Sequence, residues 1–274
     1  MTQHRELMAR ALLSGAGPLP GILAFFLALL LCQAGPVSGA DRSEVVGATA
    51  PASVGVGTLA SKPAEHGGQP AGRFLGSGFA IAPGSRVVTS AHVVDQIDSA
   101  RERLVIFTGS GEQVQARPAV VERRDVEHDL AVLVVGGAAL PTLPLAGRSH
   151  RAAGTPVVFS GYPAGITTGA YPVTHFGYIS AVAPAAEPVR GGEKLSAAQI
   201  RALRDGFLIY QMDATVLPGH SGSAVVDAGT GEVIGVVIGA LTRRAAFSKK
   251  MELVGMSFAI PVTYLHDLLS DPAT

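Results

Sequence analysis

Short apolar runs separated by turn residues dominate the chain. Beyond residue 73 they recur at 74–81, 86–89, 104–107, 114–121 and 130–135, and again at 156–160, 175–182, 207–212, 223–226, 233–241 and 256–260. Pro83-Gly84-Ser85 and Gly109-Ser110-Gly111 punctuate the first set, and Asp227-Ala228-Gly229-Thr230-Gly231 reads as a hairpin loop in the second. Strands at this spacing, with no helix between most of them, predict an all-β antiparallel architecture. Two sets of about six strands predict two six-stranded antiparallel β-barrels joined near residues 146–154.

The remaining segments have a different texture. Residues 196–204 carry a helical pattern with Ser196 as N-cap and Gly206 as a stop, inside a polar insertion at 184–205. Residues 261–269 predict a short C-terminal helix that packs Leu265, Leu268 and Leu269 on the body. Residues 41–72, rich in Ala, Gly, Pro, Ser and Val, read as a flexible lead-in with one strand near 53–59. Ahead of them, His4, Arg5 and Arg10 precede an apolar stretch at 21–32, and Ser38-Gly39-Ala40 places small residues before Asp41. That is the layout of an export signal cleaved after Ala40, which predicts a periplasmic or secreted protein. An uncleaved anchor is the alternative, and it is the one membrane attachment expected. The implied organisation is a signal peptide at 1–40, the lead-in at 41–72, an N-terminal barrel at 73–150, and a C-terminal barrel with its terminal helix at 151–274.

Composition removes several function classes. Lys+Arg and Asp+Glu both number 21, so no basic stripe argues for nucleic acid. Cys32 is the only cysteine, which excludes an intramolecular disulfide. Neither a Cys/His cluster nor a His-Glu-x-x-His motif is present, so no metal and no cofactor are expected. The sequence leaves the oligomeric state open.

The candidate chemistry lies in three separated segments: Thr89-Ser90-Ala91-His92, His128-Asp129-Leu130-Ala131 and Pro218-Gly219-His220-Ser221-Gly222-Ser223. A serine hydroxyl is a weak nucleophile at neutral pH and needs a base; a neutral imidazole suits that task. A carboxylate then fixes the imidazole tautomer and stabilises the imidazolium. These requirements assign Ser221 as nucleophile, His92 as general base and Asp129 as the orienting carboxylate. The glycine-rich turn offers the N–H groups of Gly219 and Ser221 as an oxyanion hole. Taken singly, each residue has a plainer reading as a turn serine, a core histidine or a strand-initiating aspartate.

Their local contexts resemble a known family. Thr89-Ser90-Ala91-His92-Val93-Val94, Asp129-Leu130-Ala131-Val132-Leu133 and Gly219-His220-Ser221-Gly222-Ser223-Ala224 are similar to the histidine, aspartate and serine segments of chymotrypsin-fold serine proteases. Gly76-Ser77-Gly78-Phe79, Gly161-Tyr162-Pro163-Ala164-Gly165, Gly177-Tyr178-Ile179-Ser180, Gln211-Met212-Asp213-Ala214, Gly231-Glu232-Val233-Ile234-Gly235 and Phe258-Ala259-Ile260-Pro261 point to the bacterial high-temperature-requirement (HtrA-type) subgroup. The resemblance implies a serine endopeptidase acting on protein or peptide substrates. It places Thr215 and Val216 at the base of the primary pocket and Ile238, Gly239 and Ala240 along its wall. None of these is acidic, which implies a small or medium apolar residue before the scissile bond. The chain ends at Thr274, where the resemblance would add a PDZ domain, so regulation through one is not expected. His220 and Ser223 depart from the family's usual Asn or Asp and Gly. A histidine before the nucleophile cannot bind a newly cut N-terminus as a carboxylate would, and His220 is a candidate modulator of pH dependence. His128 is expected to point away from the site, and His66, His150, His175 and His266 to be surface or structural residues.

Overall fold

In a computed structural model the described residues are 42–61, 72–163, 170–185, 206–244 and 251–271. They form two closed antiparallel barrels of six strands each. The first comprises β1 (Ser53–Ala60), β2 (Gly72–Ile81), β3 (Arg86–Ser90), β4 (Glu102–Thr108), β5 (Gln115–Asp125) and β6 (Leu130–Val135), in the order β1-β2-β3-β6-β5-β4. The second comprises β7 (Pro156–Gly161), β8 (Val173–Pro184), β9 (Leu208–Asp213), β10 (Ala224–Asp227), β11 (Val233–Arg244) and β12 (Met251–Pro261), in the order β10-β11-β12-β9-β8-β7. Among the described residues three α-helices accompany them: α1 (Arg42–Ala52), α2 (Ala91–Val94) and α3 (Val262–Ser270). The hairpin loop closes between β10 and β11, where the Gly231 N–H reaches the Asp227 carbonyl at 2.8 Å and the Gly229 N–H reaches the Asp227 carboxylate at 2.8 Å.

The run 130–135 is continuously apolar, and β6 is buried on both faces except at the exposed Val134. Ala131, Leu133 and Val135 point into the first barrel with Val54, Val56, Ala80, Val87 and Ile106. Leu130 and Val132 face the other way, joining Phe79, Ile81 and Val88 in one core with the second barrel's Val158, Phe159, Val225, Val237 and Ile260. Successive side chains on a strand alternate faces, so one strand serves both cores. The apolar contact between the barrels brings the ends of β3 and β6 opposite the β10 side of the second barrel.

The region expected to be a flexible lead-in, 41–72, is a correction. Residues 42–52 are the helix α1, and residues 53–60 are β1, which pairs with both β2 and β4 and so completes the first barrel. Residues 62–71 lie outside the described residues, as do 1–41 with the expected export signal. The same holds for residues 186–205, the bulk of the expected insertion and its helix. Among the described residues no helix is long and apolar enough to cross a membrane.

Each half also reaches onto the other. Val45 and Ala52 of α1 are buried in the core that contains the second barrel, and the Ser53 carbonyl accepts the hydroxyl of Tyr162, just after β7, at 3.4 Å. At the other end of the chain, the Arg123 guanidinium on β5 donates to the Leu268 carbonyl of α3 at 3.1 Å and to the Asp271 carbonyl. His128, just after β5, stacks on Tyr264 of α3 with ring centroids 4.1 Å apart, and its Nδ1 pairs with Asp125 at 2.6 Å.

Candidate active site

His92 and Asp129 meet because β3 and β6 are paired in register, Ser90 opposite Leu130. The chain turns into the short helix α2 immediately after β3, and Asp129 stands immediately before β6. Three hydrogen bonds join the two turns. The Asp129 carbonyl accepts from the Ala91 N–H at 3.0 Å, one carboxylate oxygen accepts from the His92 N–H at 2.8 Å, and the other lies 2.7 Å from His92 Nδ1. Asp129 adopts a φ of +53°, a left-handed conformation uncommon outside glycine but tolerated by Asp. The three bonds hold it there. The charged acceptor assigns the ring proton to Nδ1, which leaves the lone pair on Nε2. The hydrogen bond that His92 donates to Asp129 raises the His92 pKa above its ordinary 6.5, burial opposes the rise, and the charges of Asp129 and Asp95 add to it.

Ser221 arrives from the second barrel, on the turn that leads into β10. Gly219 has a φ of +101° and Gly222 a φ of +89°. At Gly222 a side chain is excluded twice over: a Cβ would stand 2.1 Å from the Ser77 carbonyl and 2.4 Å from Thr89 Oγ1. The Ser221 hydroxyl donates to the Ile238 carbonyl at 3.3 Å, and among the described residues no hydrogen bond links it to His92. The N–H groups of Gly219 and Ser221 have no hydrogen-bond acceptor among the described residues. Those of the intervening His220 and following Gly222 are taken by the Leu217 carbonyl at 3.1 Å and the Val237 carbonyl at 2.8 Å.

The two unusual neighbours of Ser221 lie beneath it. His220 and Ser223 are both wholly buried. His220 Nδ1 accepts the Leu217 N–H at 3.1 Å, so this imidazole staples the turn on which it sits. Its ring packs edge-on to Phe159 at 5.6 Å and to His175 at 4.8 Å. Burial, and secondarily the nearby His175, pushes its pKa down to about 4, so it stays neutral at physiological pH. Gly161 closes this layer from β7: a Cβ there would meet Ser223 Oγ at 2.3 Å, Ser77 Oγ at 2.8 Å and His220 Cδ2 at 2.9 Å.

The residues expected to form a substrate pocket are distributed around the same turn. Thr215 is exposed and Val216 buried, while Ile238, Gly239 and Ala240 are half-buried along β11. A Cβ built on Gly239 meets nothing within 4 Å, so the chain beside Ser221 borders open space. Sequence reasoning missed Ser77 and the Ile238 carbonyl as site groups. Ser77 stood in a quoted motif, but only tertiary contact reveals what it touches. Among the described residues no cluster of three or more metal-ligating side chains occurs.

Comparison with known proteins agrees with this geometry. The trypsin-like peptidase domain family matches residues 76–236. A "Probable periplasmic serine endoprotease DegP-like" of Halomonas elongata is 31% identical over 198 residues, covering 72% of this chain and 34% of the relative. "Serine protease HTRA2, mitochondrial" of Drosophila persimilis is 30% identical over 207 residues, covering 75% of this chain and 41% of the relative. The chain therefore spans about a third of the length of the first of these relatives and about two fifths of the second. Among solved structures, the HtrA-type protease AlgW with a decapeptide superposes with a TM-score of 0.60 at 25% identity, covering 84% of this chain and 67% of that one. Two barrels, the segments around His92, Asp129 and Ser221, and these matches make the chain a member of the trypsin-like peptidase family, with relatives of the DegP/HtrA type.

Proposed function

We propose that the chain is an exported serine endopeptidase that hydrolyses peptide bonds through Ser221, His92 and Asp129. The observation that carries this reading is the convergence, between two barrels, of a carboxylate-held imidazole and a serine turn with two unspent N–H groups. Ser221 Oγ attacks the scissile carbonyl carbon while His92 Nε2 takes its proton. The carbonyl oxygen becomes an oxyanion that the Gly219 and Ser221 N–H groups receive. His92 returns the proton to the leaving amine, giving an acyl-enzyme; water, deprotonated by His92, then releases the acid and restores Ser221. In the structure the hydroxyl rests on the Ile238 carbonyl at a long 3.3 Å, so a rotation about its Cα–Cβ bond precedes attack.

The pocket reading follows the same site: Thr215, Val216, Ile238, Gly239 and Ala240 offer no charge to a side chain bound before the scissile bond, which favours small apolar residues. Export is supported by the layout of residues 1–40 and by relatives named periplasmic. Treating residues 41–274 with a fluorophosphonate probe and with casein tests the assignment. Wild type labels and cleaves; Ser221→Ala does neither. Undiminished cleavage by that variant sinks the reading.

A further inference from the structure

The turn that carries Ser221 is gripped by a residue of the opposite barrel. Ser77 lies on β2 and is wholly buried. Its N–H donates to the Ser221 carbonyl at 2.8 Å. Its hydroxyl donates to the Gly219 carbonyl at 2.6 Å and accepts the Tyr162 N–H at 2.9 Å. The direction of these bonds is fixed by counting: a hydroxyl has one proton, and the backbone N–H of Tyr162 can only donate, so the proton goes to Gly219. On its other side the Ser77 carbonyl accepts the Thr89 hydroxyl at 2.7 Å, which anchors the grip within the first barrel.

With Ser77 included, the carbonyls of Gly219, His220 and Ser221 are each accounted for. That of Gly219 goes to the Ser77 hydroxyl, that of His220 to the Ser223 N–H at 2.9 Å, and that of Ser221 to the Ser77 N–H. None of these three is left to swing into the space that the Gly219 and Ser221 N–H groups face. The Gly219–His220 peptide lies between those two donors, and a peptide is planar, so fixing its carbonyl fixes the plane. Glycine at 219 would otherwise let it rotate at little steric cost.

We propose that Ser77 is a positioning residue for the oxyanion turn, its hydroxyl locking the Gly219–His220 peptide so that the N–H groups on either side converge on one point. The inference rests on the reading of those N–H groups as the oxyanion donors. Ser77 touches no reacting atom; it acts through the turn. Removing its hydroxyl frees the Gly219 carbonyl and leaves the His92–Asp129 pair untouched.

The experiment compares wild type, Ser77→Ala and Ser77→Cys by their rate of fluorophosphonate labelling and by kcat and KM for 4-nitrophenyl acetate across pH, each per folded molecule. Ser77→Ala is expected to lose roughly 10- to 100-fold in labelling rate and kcat, the scale of a small misplacement of catalytic groups. KM stays within about twofold, and the pH midpoint set by His92 does not move. Ser77→Cys, close in volume and still a weak donor, falls between the two. A folded Ser77→Ala at wild-type rate overturns the assignment of Ser77 alone. Should Ser77→Ala not fold, a folded Ser77→Cys decides: slower than wild type supports the assignment, equal to it overturns it. An unreactive wild type overturns the oxyanion reading and this inference with it.

Discussion

Two imidazoles flank Ser221, and the protein treats them in opposite ways. His92 has 43% of its side chain exposed and is held by a carboxylate that favours its charged form. His220 lies beneath Ser221, wholly buried, with Phe159 and His175 as ring neighbours and a backbone N–H pointed at its Nδ1. That N–H can bond only to an unprotonated nitrogen. One histidine is arranged to exchange a proton, the other to refuse one. The difference lies in the partner: an anion in one case, a neutral donor in an apolar layer in the other. It also answers a question raised by the sequence, since a histidine directly before the nucleophile need not be a second base to belong in the site.

The sharpest way to break the contrast is to remove the anion. Asp129→Asn should reduce kcat by about 10⁴-fold, because the imidazole loses the partner that sets its tautomer. A loss under tenfold, measured on any ester the wild type turns over, would mean that His92 does not depend on Asp129. Next in size is the pH dependence of stability. Unfolded His220 takes a proton near 6.5, folded His220 only near 4. Stability from the neutral form is fully present above pH 6.5 and is lost as pH falls from there toward 4, where the unfolded chain binds a proton that the native one excludes. The loss approaches about 3 kcal/mol. Denaturant titrations across that range should show this slope in wild type and a reduced slope in His220→Asn; identical slopes would place His220 in a more hydrated setting than the structure gives it. The smallest effect is the acid limb of activity. The pKa of His92 is raised, and its neutral form is the base, so the rate should fall as pH drops through a midpoint above 6.5. A midpoint below 6.5 would remove the influence of Asp129 and Asp95. Acid thus acts on the two histidines with opposite sign: it favours the His92–Asp129 ion pair while it loosens the layer under Ser221.

The strands of both barrels were legible because turn residues bracket nearly every one, and His92, Asp129 and Ser221 stood out as candidates because each has a distinctive local context. The helix α1 was not. Its sequence, Arg42 to Ala52, contains Gly47 and Pro51 and two adjacent valines, all poor helix signals. Contact with the second barrel through Val45 and Ala52 outweighs that weak propensity. β1 was glimpsed as a strand, but its membership of a barrel is a property of its partners β2 and β4, which no local pattern encodes. The left-handed Asp129 and the grip of Ser77 escaped for the same reason: each depends on atoms distant in the chain, 37 residues away for His92 and Asp129 and 142 for Ser77 and Gly219.

The reciprocal reach of the chain ends bears on how the molecule can come apart. The first helix is embedded against the second barrel, and the last helix is fastened to the first barrel through Arg123 and His128. Neither half can unfold without stripping the other of one of its covers, so a single melting transition is expected, and two resolved calorimetric transitions would show that the halves come apart independently.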